Sequence, residues 1–194
     1  MKFKILEKQT PFKRFFQIDI YQFQHELYAG GWSNTVTREV FERGRAVAVL
    51  LHDPVADTLL MVEQFRPGAI KDPDGPWMLE IVAGMVEEGE EDQDVARREA
   101  MEEANCEVTD MEFIMDYYPS AGGSTELIAL YYAAVDLSNI KTGIHGLDTE
   151  NEDIRTSIVP RETAMQYLKQ GKIKASLAII ALQWLALEKP NANT

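Results

Sequence analysis

Apolar and polar residues alternate along residues 12–28 (FKRFFQIDIYQFQHELY). Alternation with a period of two marks half-buried strands, with Ile18, Ile20, Tyr21 and Phe23 as the candidate inward positions. Gly30-Gly31 reads as a turn, and residues 35–42 as a further strand. Two nearly continuous apolar runs follow, RAVAVLL (45–51) and TLLMVEQ (58–64), joined by HDPVAD, whose Asp and Pro suit a turn. Residues 77–83 form another short apolar run. The pattern then changes: residues 90–104 are rich in Glu, Arg and Ala, which favour helix, and Val95, Ala96 and Ala100 make an apolar stripe. Strands are predicted again at 112–118, 127–135 and 154–159, with a glycine-containing loop at 141–153. Pro160 opens a helix running to about residue 170, a second and more apolar helix covers 175–188, and the tail KPNANT is expected to fray.

Strands interleaved with helices favour an α/β architecture with a sheet covered on both faces. Residues 1–44 read as a small antiparallel β domain, marginal in isolation and so expected to lean on the main domain or on a second subunit. Residues 45–194 form the main domain. The length, 194 residues, and the composition, 45% hydrophobic and 26% charged, suit a folded globular chain. A formal net charge of −13 argues against a nucleic acid or an anionic membrane surface as partner. If the substrate carries phosphate, something other than net charge must attract it, and a bound cation is the natural candidate. The single cysteine, Cys106, excludes an internal disulfide. The opening residues lack the apolar core of a signal peptide, and residues 175–187 are too short to span a bilayer and are interrupted by Gln183. A cytoplasmic location is expected.

The segment carrying chemistry is residues 84–106 (GMVEEGEEDQDVARREAMEEANC). On a helix Glu99 and Glu103 share a face, with Glu102 beside them. Three clustered carboxylates repel one another unless a hard cation sits among them, and Mg²⁺ and Mn²⁺ prefer oxygen ligands. Arg98 can pair with Glu90 and fix the helix entry, and Gly84 is placed where the chain turns sharply and a backbone carbonyl can face a metal. An acidic helix is ordinarily only a solvated face; here the spacing of Gly84, Glu90, Arg98, Glu99, Glu102 and Glu103 argues otherwise.

That spacing resembles the Nudix box, Gly-x5-Glu-x7-Arg-Glu-U-x-Glu-Glu-x-Gly-U, with U aliphatic. Asn105 stands where the box has Gly, and Cys106 where it has an aliphatic residue. Asn tolerates the left-handed helix-end conformation, buried Cys acts as a small apolar residue, and no nearby base would make Cys106 a nucleophile. The resemblance extends over about residues 12–184 and is strongest to bacterial ADP-ribose pyrophosphatases, through FERG (41–44), VEQFRPG (62–68), LEIVAGMVEEGE (79–90), SAGGSTE (120–126) and IHGLDTENEDI (144–154). It implies an α/β/α Nudix sandwich with an N-terminal β domain that joins a domain-swapped homodimer.

The resemblance further implies Mg²⁺ (or Mn²⁺), two or three ions per site, held by the Ala83 carbonyl, Glu99 and Glu103, with contacts from Glu152. Glu150 corresponds to the general base, with Glu152 as the alternative. Phe15, Phe16, Arg38 and Glu39 correspond to adenine-side contacts from the partner subunit. Arg43, Arg66, Met85, the Ser120-Ala121-Gly122 turn and Glu126 correspond to substrate contacts, although Ala121 departs from the Pro often found in that turn. The implied reaction is hydrolysis of ADP-ribose to AMP and ribose 5-phosphate. The alternatives are a pyrophosphatase for another nucleotide sugar such as GDP-mannose and a non-catalytic ADP-ribose-binding module.

Overall fold

The computed structural model describes residues 1–147, 149 and 151–189. The chain divides into two compact units, Met1–Arg45 with Tyr118–Leu127, and Ala46–Tyr117 with the remainder from Ile128.

The smaller unit is an antiparallel sheet of β1 (Phe3–Lys13), β2 (Gln17–His25) and β3 (Val36–Glu42), in that order. The alternating pattern predicts β2 and β3 but not β1, whose positions are all exposed and whose register slips at two bulges. In β2 the fully buried position is Asp19, not one of the predicted apolar residues. It is tolerated there because its carboxylate meets the Lys8 ammonium at 2.7 Å and accepts hydrogen bonds from Thr10 and Gln17. The segment Tyr118–Leu127 joins this unit through Phe41 N–H to Gly123 O (2.8 Å) and Thr125 N–H to Phe41 O (3.0 Å).

The larger unit is built on β4 (Arg45–Asp53), β5 (Thr58–Phe65), β6 (Trp77–Glu80), β7 (Val82–Met85), β8 (Glu112–Tyr117), β9 (Leu127–Ala134), β10 (Ile144–His145) and β11 (Ile154–Pro160), with the strand order β10-β11-β5-β4-β9-β8. Its helices are α1 (Asp92–Ala104), α2 (Arg161–Lys169) and α3 (Ser176–Glu188). Strands β4 and β5 are apolar at nearly every position because both of their faces are covered. Val47, Val49, Leu51, Leu60 and Val62 pack with Val95, Ala96, Ala100 and Ala104 of α1. Ala48, Leu50, Leu59 and Met61 pack with Ala164 of α2 and Ala178, Ala181, Leu182 and Leu185 of α3. This is the expected α/β/α sandwich. No helix among the described residues is long and apolar enough to cross a membrane.

The run 77–83 is not one strand. It breaks at Ile81, with β6 pairing to β5 and β7 to β4. The cause lies in how β4 and β5 meet: their register covers only Leu51–Asp53 against Thr58–Leu60. Further along, the two strands take separate partners, Glu80 facing Val62 and Ala83 facing Ala48. One short run thereby supplies residues to both arms of the split.

Helix α1 ends at Asn105, which adopts φ 47 and ψ 41, with its N–H donating to Met101 O (2.9 Å) and the Cys106 N–H to Ala100 O (3.0 Å). The left-handed cap explains why Asn can stand in a glycine position. Replacing Asn105 by Val should lower unfolding free energy by about 1–2 kcal/mol, the cost of forcing a branched side chain into this conformation. Asn105→Gly should leave stability equal or higher, and urea denaturation distinguishes the two.

Candidate active site

Strand β7 leads through residues 86–91 into α1. The Glu90 carboxylate accepts the Glu87 N–H (2.9 Å) and closes this loop. Arg98 meets Glu90 at only 3.9 Å, and meets Glu99 and Glu102 at 2.9 Å each. Its close partners are thus two carboxylates of its own helix, and the expected pairing with Glu90 is the longest of the three contacts.

Gly84 requires a correction. It lies inside β7 and is not among the positive-φ glycines, so no sharp turn demands it. Space demands it: a Cβ there would overlap the Glu99 side chain. Glu99 is thus laid flat against the strand. One turn on, Glu103 is 2% exposed and accepts the Ala83 N–H at 3.2 Å. Burial pushes the Glu99 carboxyl up to about 7, with Glu102 and Glu152 adding to the effect and Arg98 opposing it. Burial pushes Glu103 up to about 8, opposed by the Ala83 N–H and by Arg66, and reinforced by Glu99 and Glu152.

Gly146 N–H donates to Glu102 O (3.3 Å), and Leu147 N–H to the Glu152 carboxylate (3.1 Å). Gly146, at φ 103, leaves room for Glu152, whose Cβ would lie 2.6 Å from a Cβ at that position. Glu150 lies outside the described residues.

Glu99, Glu103 and Glu152 thus feel one another electrostatically, but among the described residues no three acidic or imidazole groups converge as a finished cation cage. Glu99 lies instead against Arg98. The donors still fit a hard divalent cation. All are oxygens, and two are carboxylates lifted by burial, a state that a cation reverses by favouring the ionised form.

The Arg66 Nε donates to the Glu80 carboxylate at 2.8 Å, and Glu80 is 4% exposed. Sequence reading passed over Glu80; its signal was one acid within the apolar run 77–83. Met85, at the end of β7, is exposed. Cys106 is buried, and burial raises its thiol to about 11, so it is no nucleophile.

The remaining candidates belong to the smaller unit. Arg43 meets Glu126 at 3.4 Å, and its guanidinium lies over the Phe16 ring (5.1 Å) and the Phe41 ring (5.6 Å). Phe15 contacts Phe16 edge-on at 4.9 Å and is 86% exposed, so neither is a core residue. Arg38 donates to its neighbour Thr37 O (2.8 Å), and Glu39 faces Ile20 in the β2–β3 register. The Ser120-Ala121-Gly122 turn closes without proline, with Ser120 O accepting the N–H groups of Gly123 (3.1 Å) and Ser124 (3.0 Å).

The NUDIX domain family model matches residues 42–179, a span that takes in the split sheet, Gly84, Glu99 and Glu103. The chain belongs to this family and is a Nudix hydrolase. It is 45% identical over 184 residues to the ADP-ribose pyrophosphatase of Escherichia coli (strain K12), covering 95% of this chain and 88% of the relative. It is 33% identical over 152 residues to the GDP-mannose pyrophosphatase of Cronobacter sakazakii, covering 77% of this chain and 78% of the relative. A solved structure titled as an ADP compounds hydrolase superposes with a TM-score of 0.72 at 19% identity, covering 97% of this chain and 96% of that one, which shows the common fold.

Gly84→Ala should leave a folded protein but displace Glu99 and lower kcat at least about 10²-fold, the scale set by misplacing a catalytic group by about 1 Å. Retention of full turnover would remove Glu99 from the site.

The acid pair also predicts a pH dependence. Glu99 and Glu103 hold protons more tightly folded than unfolded, so metal-free stability should fall as pH rises from about 4.5 through 7 and 8. Glu103→Gln should flatten that slope in urea titrations. A divalent cation should stabilise the chain more near pH 8 than near pH 6, because it competes with fewer protons.

Proposed function

We propose that this chain hydrolyses the diphosphate of ADP-ribose to AMP and ribose 5-phosphate, with Mg²⁺ as the metal. The observation that carries this reading is the similarity to an ADP-ribose pyrophosphatase over 95% of the chain. It reaches beyond the Nudix domain, which begins at residue 42, and so takes in most of the smaller unit. The likeness to a GDP-mannose pyrophosphatase spans 77% of the chain at lower identity.

Glu99, Glu103, Glu152 and the Ala83 carbonyl would hold two or three Mg²⁺ ions, which would supply Lewis-acid neutralisation of phosphate charge and ease deprotonation of a water. The chain's own residues do the rest. Glu150 takes a proton from the attacking water as its oxygen bonds to one phosphorus; the bond from that phosphorus to the bridging oxygen breaks, and the bridging oxygen leaves with the second phosphate. Glu152 stands as the alternative base. Arg66 and Arg43 fork onto substrate oxygens, Met85 and Glu126 line the substrate, and the Ser120-Ala121-Gly122 backbone approaches it closely. Phe15 and Phe16 offer flat apolar faces to adenine, with Arg38 and Glu39 beside the base. Arg98 and Glu90 keep the helix entry in place.

The reading includes a homodimer in which the partner subunit supplies the adenine-side residues. The smaller unit supports it with exposed Phe3 and Ile5 beside Tyr21, Phe23 and Val40 around an open apolar cavity of about 310 Å³. It also includes a cytoplasmic location, which the single buried cysteine fits.

A panel of nucleotide sugars with Mg²⁺ tests the substrate: ADP-ribose should give the highest kcat/KM, and a preference for GDP-mannose would replace this reading with the second one. Glu150→Gln should lose about 10²–10⁴-fold in kcat with metal affinity unchanged. Full turnover in that variant, together with a loss in Glu152→Gln, moves the base to Glu152. Glu103→Gln should weaken both turnover and metal binding.

A further inference from the structure

Glu80 has no role in the chemistry described so far, yet it is among the most deeply buried charged residues of the larger unit. It closes β6, facing Val62 of β5, three residues before Ala83. A buried carboxylate needs compensation, and Glu80 accepts a hydrogen bond from the Arg66 Nε at 2.8 Å.

Arg66 is held from behind. Its N–H donates to Pro76 O at 2.8 Å, next to the Phe65–Trp77 register pair. The 3-10 turn Pro67–Ala69 follows at once. The backbone is thus tied to Pro76 and the Nε to Glu80. The Arg66 side chain is still 40% exposed. Glu80 binds through Nε, which leaves the two terminal nitrogens of the fork unengaged by it.

Arg66 and Glu80 line an open cavity of about 410 Å³ together with Asp72, Met78 and Lys174. The other cation, Lys174, is bound by the carboxylates of both Asp72 and Asp74. Arg66 is the cation of this cavity with donors to spare for an anion.

We propose that Glu80 is the positioning residue that aims the Arg66 guanidinium at the diphosphate of the substrate. This rests on the assignment of Arg66 to a substrate oxygen. A merely structural ion pair would also stabilise the fold; an aiming role predicts in addition that Glu80 matters to catalysis only while Arg66 is present.

A double-mutant cycle with Arg66→Ala, Glu80→Ala and the milder Glu80→Gln separates the two. Glu80→Ala should lower kcat/KM about 10²-fold, chiefly through KM, with Mn²⁺ affinity by titration calorimetry unchanged. Glu80→Gln keeps an oxygen to accept from Nε and should stay within about tenfold of the parent. In the Arg66→Ala background neither change at Glu80 should reduce kcat/KM further, while Glu80→Ala should raise the melting temperature by removing an unpaired buried carboxylate. Additive losses in the cycle, or weaker Mn²⁺ binding in either Glu80 variant, would overturn the proposal. If Glu80→Ala alone does not fold, the cycle with Glu80→Gln still decides, by whether its loss disappears in the Arg66→Ala background. The cycle is run on whichever nucleotide sugar the parent enzyme cleaves fastest. A preference for GDP-mannose would therefore sink the substrate assignment and leave the Glu80–Arg66 coupling measurable.

Discussion

Two carboxylates held away from water, Glu99 and Glu103, are the constraint around which the larger unit is arranged. Placing them against β7 costs desolvation and mutual repulsion, visible in proton affinities raised to about 7 and about 8. Three local devices offset this cost. Gly84 gives up its side chain so that Glu99 can lie on the strand. The Ala83 N–H donates to Glu103. Arg98 balances Glu99 and Glu102 from the same helix. None of these abolishes the preference of the pair for a positive partner, which is what makes the site ready for a hard cation.

The sheet makes those contacts possible. Strands β4 and β5 are clamped at one end by their own pairing and by two apolar cores, one under α1 and one under α2 and α3. Past that end they accept β7 and β6 as separate partners. Gly84 thereby lies against Glu99 of α1 and the Ala83 N–H reaches Glu103, while Glu80, on the neighbouring strand, meets Arg66. One seven-residue run serves a cation site on one side and a fixed guanidinium on the other.

Charge is distributed by the same logic. A chain of net charge −13 would have to attract any anion against its own field. The cations that oppose this field are held in place: Arg66 by Glu80, and Arg43 by Glu126 with the rings of Phe16 and Phe41 beneath it. Each carboxylate takes its arginine through Nε. That mode fixes direction at a moderate loss of net positive charge.

Much of this was legible in the chain itself. Apolar runs at 45–51 and 58–64 specify central strands because a strand covered on both faces has no polar face to show. The stripe Val95, Ala96, Ala100 specifies the side of α1 that packs, and the spacing of Gly84, Glu99 and Glu103 places two acids on one helical face. Asn105 reads as a helix end because few other residues accept its left-handed backbone. Those conclusions rest on local periodicity and local backbone preference, which sequence carries directly. Other features depend on partners distant along the chain. That Gly84 is needed for space and not for a turn follows from where Glu99 lies. That the run 77–83 breaks at Ile81 follows from the parting of β4 and β5. That β1 is a strand follows from its pairing with β2, since its own positions are all exposed. That Asp19 and Glu80 are buried follows from Lys8 and Arg66, which compensate them. The residue types determined the elements and the chemistry on offer; only tertiary packing, by choosing which charges lose their water and which cation answers them, decided where that chemistry is held.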